Sequence, residues 1–321
     1  MPEQRAIGVD VGGTKIAAGV VDRQGRIERR VERRTPTESQ DELLATLDEI
    51  VEGLLVEGVA AIGFGMPSTI DQRSGRVIGS VHVPLRDFDF RTHMADRFSL
   101  PVALDNDANA AAIAEWKVGA GHGSTHMIML TLGTGVGGGL ILDGKPYRGF
   151  VGAGAEIGHM VLEYGGEPCS GNCDGHGHFE QVASGGAADR AAERILGPGT
   201  TGRELVGAAR EGNEEARKAI VEIGRKLGAA IGSLVNIFDP QLVVIGGGFS
   251  QARDLFLEPA LEAMREEALP PGRDLVRVVP ALLGPDAGLV GAAFVGLEAV
   301  ETDGCAGEAG TVSKRRRKRA P

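Results

Sequence analysis

Five short runs of this sequence hold side chains whose types and spacing could do chemistry, and three of them are rich in glycine. Asp10-Val11-Gly12-Gly13-Thr14-Lys15 sits where one apolar run ends and the next begins. Gly12 and Gly13 let backbone N–H groups approach an anion with no Cβ in the way. Thr14 adds a hydroxyl, Lys15 a positive charge, and Asp10 a carboxylate able to hold a water of a phosphate-bound Mg²⁺. Thr131–Gly139 repeats this chemistry with five Gly, among them Gly133, Gly135 and Gly137, and two Thr, of which Thr134 lies inside the turn. It is neither a Walker loop, which needs Gly-Lys-Ser/Thr, nor a dinucleotide fingerprint opening a helix. Gly246-Gly247-Gly248 follows an apolar run and offers bare backbone against which a purine ring can lie. Each run alone also reads as an ordinary turn; the three together point to a nucleotide. Asp105-Asn106-Asp107 precedes a helix, and either carboxylate suits its N-cap. Cys169, Cys173 and His178 follow His159, with His176 as a further imidazole. Thiolates and imidazoles this close suit a tetrahedral structural Zn²⁺, while reduced thiols beside exposed histidines are the other reading.

The elements that must position these residues alternate in type. Ala6–Val11 and Ile16–Val21 read as strands joined by Gly-Gly-Thr-Lys, and a third strand follows over Arg26–Arg33. Leu43, Leu44, Leu47, Ile50, Val51 and Leu54 recur at helical spacing, and Val59–Gly65 is a buried strand. Ala108–Val118 is a helix entered from the Asp-Asn-Asp run. A second half opens in the same order, with strands Met127–Thr131 and Gly139–Leu142 around the second glycine-rich turn, a weak internal repeat. Helices are expected around Gly186–Ile195, Thr201–Glu211, Glu214–Asn236 and Gly288–Ala299, with a strand over Gln241–Ile245. This pattern predicts an α/β protein of two lobes with a central cleft. The lobes are expected at 1–118 and 119–302, with a Gly-, Cys- and His-rich insertion at about 150–185 and a final helix at about 286–300 packing back on the first lobe.

Composition bounds the answer. The chain has 321 residues, of which 42% are hydrophobic and 24% charged, as in soluble globular proteins. Glycine alone departs, at 50 residues, about twice its usual share, clustered rather than periodic. No apolar stretch of about eighteen residues predicts a membrane span, and the first ten residues lack a basic-then-apolar signal, so a cytoplasmic protein is expected. Three Cys build no disulfide framework, and 4% aromatics argue against a stacking platform for single-stranded nucleic acid. The net charge of −10 conceals an asymmetry, because Lys314–Arg319 holds six of the 34 basic residues and the other 28 face 44 acidic ones. An acidic body disfavours nucleic acid as its partner. Residues 303–321, with Cys305, read as a disordered tail; its basic run suits a polyanion such as nucleic acid, or is a solvated tail with no partner.

Taken in order, DVGGTK, Asp105-Asn106-Asp107-Ala108-Asn109, LGTGVGGG and GAEIGHM resemble the ROK family of repressors and sugar kinases, over about residues 5 to 300. The resemblance implies the two-lobed actin-like ATPase (ribonuclease H-like) fold, ATP and Mg²⁺ in the cleft, and phosphorylation of a hexose. Glucose is the expected sugar, with N-acetylmannosamine, fructose, mannose or allose as alternatives and polyphosphate as an alternative donor. It implies that Asp107 takes the proton of the acceptor hydroxyl, as a kinase requires, that Asn106 hydrogen-bonds the sugar, and that Glu156, His159 and Glu180 contact it. Gly65-Met66-Pro67 resembles the family's Gly-x-Pro-Gly sugar-side turn, with Ser68 for the second Gly, and His82 stands where Asn is usual. Both departures bear on which hexose fits. Family members carry three Cys and one His on zinc. Here His178 takes the place of the third Cys, giving His159, Cys169, Cys173 and His178 as the expected set, which would fasten the loop carrying Glu156 and Glu180. A homo-oligomer, dimer or tetramer, is also implied. Repressors of the family carry an N-terminal helix-turn-helix, for which ten residues before the first turn leave no room. An intact Asp107 and both phosphate turns argue against a sensor that binds sugar without phosphorylating it.

Overall fold

The computed structural model describes residues 4–80, 82–170 and 173–316, and side chains of the last helix as far as residue 301. The chain divides into two compact units. The first opens with β1 (Arg5–Val11), β2 (Lys15–Asp22) and β3 (Ile27–Arg34), an antiparallel meander. β1 and β2 are buried nearly throughout, whereas β3 buries no side chain and presents charge along its length, as suits a sheet edge. Helix α1 (Gln40–Leu54) starts at Ser39, whose side chain accepts the Glu42 N–H, and buries the six apolar side chains its spacing predicts. β4 (Val59–Met66) then returns parallel to β1. A small antiparallel sheet follows, β5 (Ser68–Asp71), β6 (Arg76–Ser80) and β7 (Arg86–Phe88), then α2 (Phe90–Phe98), β8 (Val102–Asn106) and α3 (Asp107–Val118). The main sheet has the order β3-β2-β1-β4-β8.

The second unit repeats the opening. β9 (Met127–Leu132) and β10 (Val136–Leu142) form an antiparallel hairpin, extended by β11 (Lys145–Pro146). After the irregular stretch come α4 (Phe179–Val182), α5 (Gly185–Leu196), α6 (Gly202–Arg210) and α7 (Glu214–Phe238). β12 (Leu242–Gly246) pairs parallel with β9, and α8 (Arg253–Glu267), α9 (Gly272–Leu275) and β13 (Arg277–Pro280) complete a sheet of order β11-β10-β9-β12-β13. Gly228 of α7 lets α8 lie close: a Cβ there would come within 2.0 Å of the Ala260 carbonyl oxygen. The small sheet, α2, α8 and β13 are elements the sequence reading did not anticipate.

The last helix, α10 (Ala287–Arg316), belongs to the first unit and packs on β1 and β4. Gly63 of β4 makes this contact possible, since a Cβ there would sit 1.7 Å from the Ala292 carbonyl oxygen. The first unit comprises 1–114, 150–153 and 286–321, so its boundary falls inside α3 and it takes in four residues of the expected insertion. The disordered tail expected from 303 needs correction: the backbone stays helical to Arg316. No proline interrupts it before Pro321, and the intervening glycines weaken a helix by about 1 kcal/mol each without breaking it. The side chains of the basic run, and of Cys305, lie outside the described residues. No helix among the described residues is long and apolar enough to cross a membrane.

Candidate functional site

In the first unit the β1–β2 turn is pinned from behind. The Gly12 N–H donates to the Lys15 carbonyl (3.0 Å), Thr35 donates its N–H to the Thr14 carbonyl (3.1 Å), and its hydroxyl donates to the Gly12 carbonyl (2.7 Å). Among the described residues, the N–H groups of Gly13 and Thr14 have no protein partner, which leaves them for an anion. Lys15 is turned to the sheet edge, where its Nζ lies 3.2 Å from Glu32. Asp10, next to last in β1, lies against α10: a Cβ on Gly288 would touch its carboxylate at 2.5 Å. Burial pushes the Asp10 carboxyl up to about 7, the Asp107 charge adds to this, and Lys15 offsets part of it. Two carboxylates repelling each other beside a turn with unpaired N–H groups are a donor set that a divalent cation would complete, so these residues fit Mg²⁺.

The Asp105-Asn106-Asp107 run resolves into three roles. Asp105 is fully buried and structural: its Oδ1 accepts from the Asn106 N–H (2.8 Å), the Asn109 amide (3.1 Å) and the Gln72 amide (3.4 Å). Asn106 caps α3, its Oδ1 accepting from Ala108 (2.9 Å) and Asn109 (3.3 Å), so its Nδ2 remains as a donor. Neither Asp is therefore the N-cap. Asp107 is the first residue of α3, and among the described residues its side chain accepts from the Ala108 N–H (2.9 Å) alone. Burial raises its carboxyl above the usual range, against the pull of that N–H and of the His82 charge. Gly65 lies beneath: a Cβ there would meet Ala110 at 3.2 Å and the Asp107 Cα at 3.8 Å, so its smallness seats α3 on β4. Pro67 accepts the Ser80 hydroxyl on its carbonyl (2.6 Å). His82 leans on the β1–β2 turn, its Cβ 2.9 Å from where a Gly13 Cβ would be.

In the second unit the matching turn is held by the start of α5. The Gly185 N–H donates to the Gly133 carbonyl (2.7 Å) and the Gly186 N–H to that of Thr134 (3.1 Å), while Ser184 caps the helix. Beside this turn opens a cavity of about 670 Å³, lined by Gly133, Thr134, Gly248, Phe249 and the face of α6 that carries Arg203, Val206, Gly207 and Arg210. This volume suits a nucleoside. Of the three glycines expected against a purine, only Gly248 lines the cavity. Gly246 is buried in β12, and Gly247, at φ +84°, sits so close to Leu132 that a Cβ would reach its backbone at 2.5 Å. Gly137 lies in β10, beyond the turn proper. The wall supplied by α6 escaped sequence reading; its one signal is Gly207, mid-helix, where a Cβ would meet nothing within 4 Å.

Glu180, the second residue of α4, reaches back to the same turn, its Oε2 lying 2.3 Å from where a Gly135 Cβ would be. Its Oε1 accepts from the Cys169 thiol (3.3 Å). Glu156 is exposed and leads the 3₁₀ turn Ile157–His159, after Ala155 at φ +67°. Gly158 makes room for this turn against β10, since a Cβ would strike the Val136 carbonyl at 2.1 Å. His159, Cys169, Cys173 and His178 converge, their ligand atoms all within 4.8 Å of one another. The two Nδ1 atoms stand 3.1 Å apart, and Cys173 Sγ lies 3.7 Å from that of His178. Edges of a tetrahedral N/S zinc site measure about 3.3–3.8 Å, so the four residues fit Zn²⁺. His176 stays outside this group, exposed and bridged to Pro168.

A model of the ROK family matches residues 6–298. The chain belongs to the ROK family. A glucokinase from Streptomyces coelicolor is 37% identical over 311 residues, covering 91% of this chain and 97% of that one. A ROK hexokinase structure from Thermus thermophilus superposes with a TM-score of 0.82 at 36% identity, covering 93% of this chain and all of that one. A ROK family glucokinase from Streptomyces griseus, solved with glucose and AMPPNP, gives 0.78 at 35% identity, covering 92% and 99%. The fold of this ROK chain thus stands among those of sugar kinases.

Proposed function

We propose that this ROK protein transfers the γ-phosphoryl group of ATP to the 6-hydroxyl of glucose. The observation that carries the reading is the paired architecture: each unit presents a glycine-rich hairpin turn, and Asp107 heads a helix beside the first. The β1–β2 turn and the Gly133–Gly135 turn bind phosphate oxygens through backbone N–H groups, and the cavity beside α6 takes the adenosine. The Asn106 amide donates to the sugar, and Glu156, His159 and Glu180 accept from or donate to its hydroxyls. Asp107 takes the 6-hydroxyl proton as O6 bonds to the γ-phosphorus and the bond from that phosphorus to the β,γ-bridging oxygen breaks, releasing ADP. Burial, which raises the Asp107 carboxyl above the usual carboxylate range, makes it the better proton acceptor. Mg²⁺ bound with ATP supplies charge neutralisation, and Asp10 is the carboxylate that would hold its water. A structural Zn²⁺ on His159, Cys169, Cys173 and His178 would fix the loop bearing Glu180.

The protein acts in the cytoplasm, in keeping with its reduced Cys pair, as a homo-oligomer. The exposed Ile237, Leu269 and Leu275 support the latter, and light scattering checks it. The deciding experiment offers a panel of hexoses with Mg-ATP, and polyphosphate as a parallel donor. Glucose 6-phosphate forms with ATP at a kcat of about 1–100 s⁻¹. Tight sugar binding with no transfer to any hexose would overturn the reading.

A further inference from the structure

The chain leaving β6 brings an imidazole to the β1–β2 turn. The Ser80 hydroxyl donates to the Pro67 carbonyl (2.6 Å) and accepts the N–H groups of His82 and Val83 (3.3 Å each). Val83 and Leu85 are buried, so the backbone here is anchored while the His82 side chain stays exposed. Gly13 admits that side chain. A Cβ on Gly13 would lie 2.9 Å from the His82 Cβ and 3.5 Å from its Cγ, so the ring leaves the chain against bare backbone. Among the described residues neither ring nitrogen has a hydrogen-bond partner, and the N–H groups of Gly13 and Thr14 have none either. Burial raises the Asp107 carboxyl, and the pull of the Ala108 N–H and of the His82 charge opposes it, so His82 stands within electrostatic reach of Asp107. Asp10, three residues before Gly13, also feels the Asp107 charge. Two unpaired N–H donors, an unpaired imidazole and a carboxylate are thus neighbours, all within the first unit.

We propose that His82 is a further catalytic residue of phosphoryl transfer, its ring N–H donating to an oxygen of the phosphoryl group in transit. This rests on the kinase reading. With the γ-phosphoryl group on the Gly13 and Thr14 N–H groups and the acceptor hydroxyl at Asp107, the group in transit passes between the turn and the carboxylate, beside His82. Negative charge is then spread over its equatorial oxygens, and a donor already in place strengthens as the transition state forms. A neutral imidazole carries one N–H in either tautomer and a charged one carries two, so the donor is present in every state of the ring. His82 moves no proton: the bonds made and broken at phosphorus, and the proton passed to Asp107, are those of the transfer described above. A sugar ligand would act differently, because it holds its hydroxyl before the transfer as firmly as during it and so moves KM rather than kcat.

The test compares the parent with His82→Ala and His82→Asn for kcat, both KM values, melting temperature and rescue by free imidazole. The side chain is exposed and its backbone is held by Ser80, so both variants should fold. We expect kcat to fall about 10²-fold in His82→Ala and roughly tenfold in His82→Asn, whose shorter amide keeps a donor. Both KM values should stay within about threefold of the parent. Imidazole added to His82→Ala should restore kcat by about tenfold, saturably, and leave the parent unmoved. A kcat for His82→Ala within about threefold of the parent would overturn the inference. So would a raised KM for the hexose with kcat kept, which makes His82 a sugar ligand. A loss of kcat that neither imidazole nor the amide of His82→Asn relieves would mean a structural role only, and would overturn it too. Should His82→Ala fail to fold, His82→Asn decides alone: a kcat within about threefold of the parent, or a change confined to KM, ends the inference. A parent that phosphorylates no hexose ends the kinase reading and the inference together; an active parent with any of the other adverse results ends the inference alone.

Discussion

Asp10→Asn separates what the carboxylate does for the ligand from what it does to the fold. In the unliganded protein the Asp10 carboxyl is raised from 3.8 to about 7. Between those values the folded chain keeps a proton that the unfolded chain has released, so stability falls as pH rises through this window and levels off above it. The full shift corresponds to a destabilisation of about 4 kcal/mol at pH 8, of which roughly 2–3 kcal/mol develops between pH 5 and 8. That figure is a ceiling, because water and Lys15 relax around a side chain that is only partly buried; an effect of about 1–2 kcal/mol is expected. Asn keeps the shape and carries no charge to desolvate. Urea midpoints at pH 5, 6, 7 and 8 should therefore show Asp10→Asn more stable than the parent, by a margin that grows with pH. Added Mg-AMPPNP should reverse the order, since the parent gains linkage stabilisation from the ligand and the variant gains less. A margin that stays flat across pH, or shrinks as pH rises, would refute the argument that the site holds an uncompensated negative charge.

Asp107→Asn should lower kcat by about 10²–10⁴-fold while leaving AMPPNP and glucose affinities near the parent values; calorimetric titration beside steady-state kinetics checks both halves. Gly63→Ala would bring a Cβ within 1.7 Å of the Ala292 carbonyl, backbone that cannot give way, so loss of the soluble folded protein or at least about 3 kcal/mol of stability is expected, read from expression and melting. One zinc per chain should be found by elemental analysis, and its removal by a chelator should lower the melting temperature and raise the KM for glucose more than that for ATP. His178→Ala should abolish the metal and His176→Ala should not, because only His178 stands with His159, Cys169 and Cys173.

The parts of the fold legible in the sequence were those set by local pattern. The two hairpins with glycine turns, α1 with its six buried apolar positions, and the long α7 all follow from period and punctuation. The small sheet over 68–88 did not, because β6 and β7 carry Arg76, Arg86 and Asp87 and alternate too briefly to register. α8 was hidden by Pro259 in its interior and by its charged composition. The basic tail was read from composition alone, which speaks to solubility and says little about whether a helix already begun at Ala287 must stop.

The candidate site divides along the same line, and the division has a physical cause. A glycine-rich hairpin turn is written in a few consecutive residues, so both turns could be read directly, whereas the wall of a cavity needs only that some helix face the turn. α6 faces it through tertiary packing, and nothing in Arg203, Val206 or Arg210 distinguishes them from any amphipathic helix. Likewise Asp105 and Asp107 are indistinguishable as letters. They part only when β8 ends and α3 begins, burying one among amide donors and leaving the other a single N–H bond. The same holds for His176 and His178, two residues apart in an irregular loop, each in a one-residue backbone bridge, of which the first ends exposed and the second buried. Glu115 is the extreme case. At the end of an alanine-rich helix it reads as a solvated surface carboxylate, and its role emerges only when a segment more than 160 residues later brings two N–H groups to it. Chemistry that depends on neighbours in sequence is written locally, while contacts that depend on a helix end meeting a distant segment are written only in the fold.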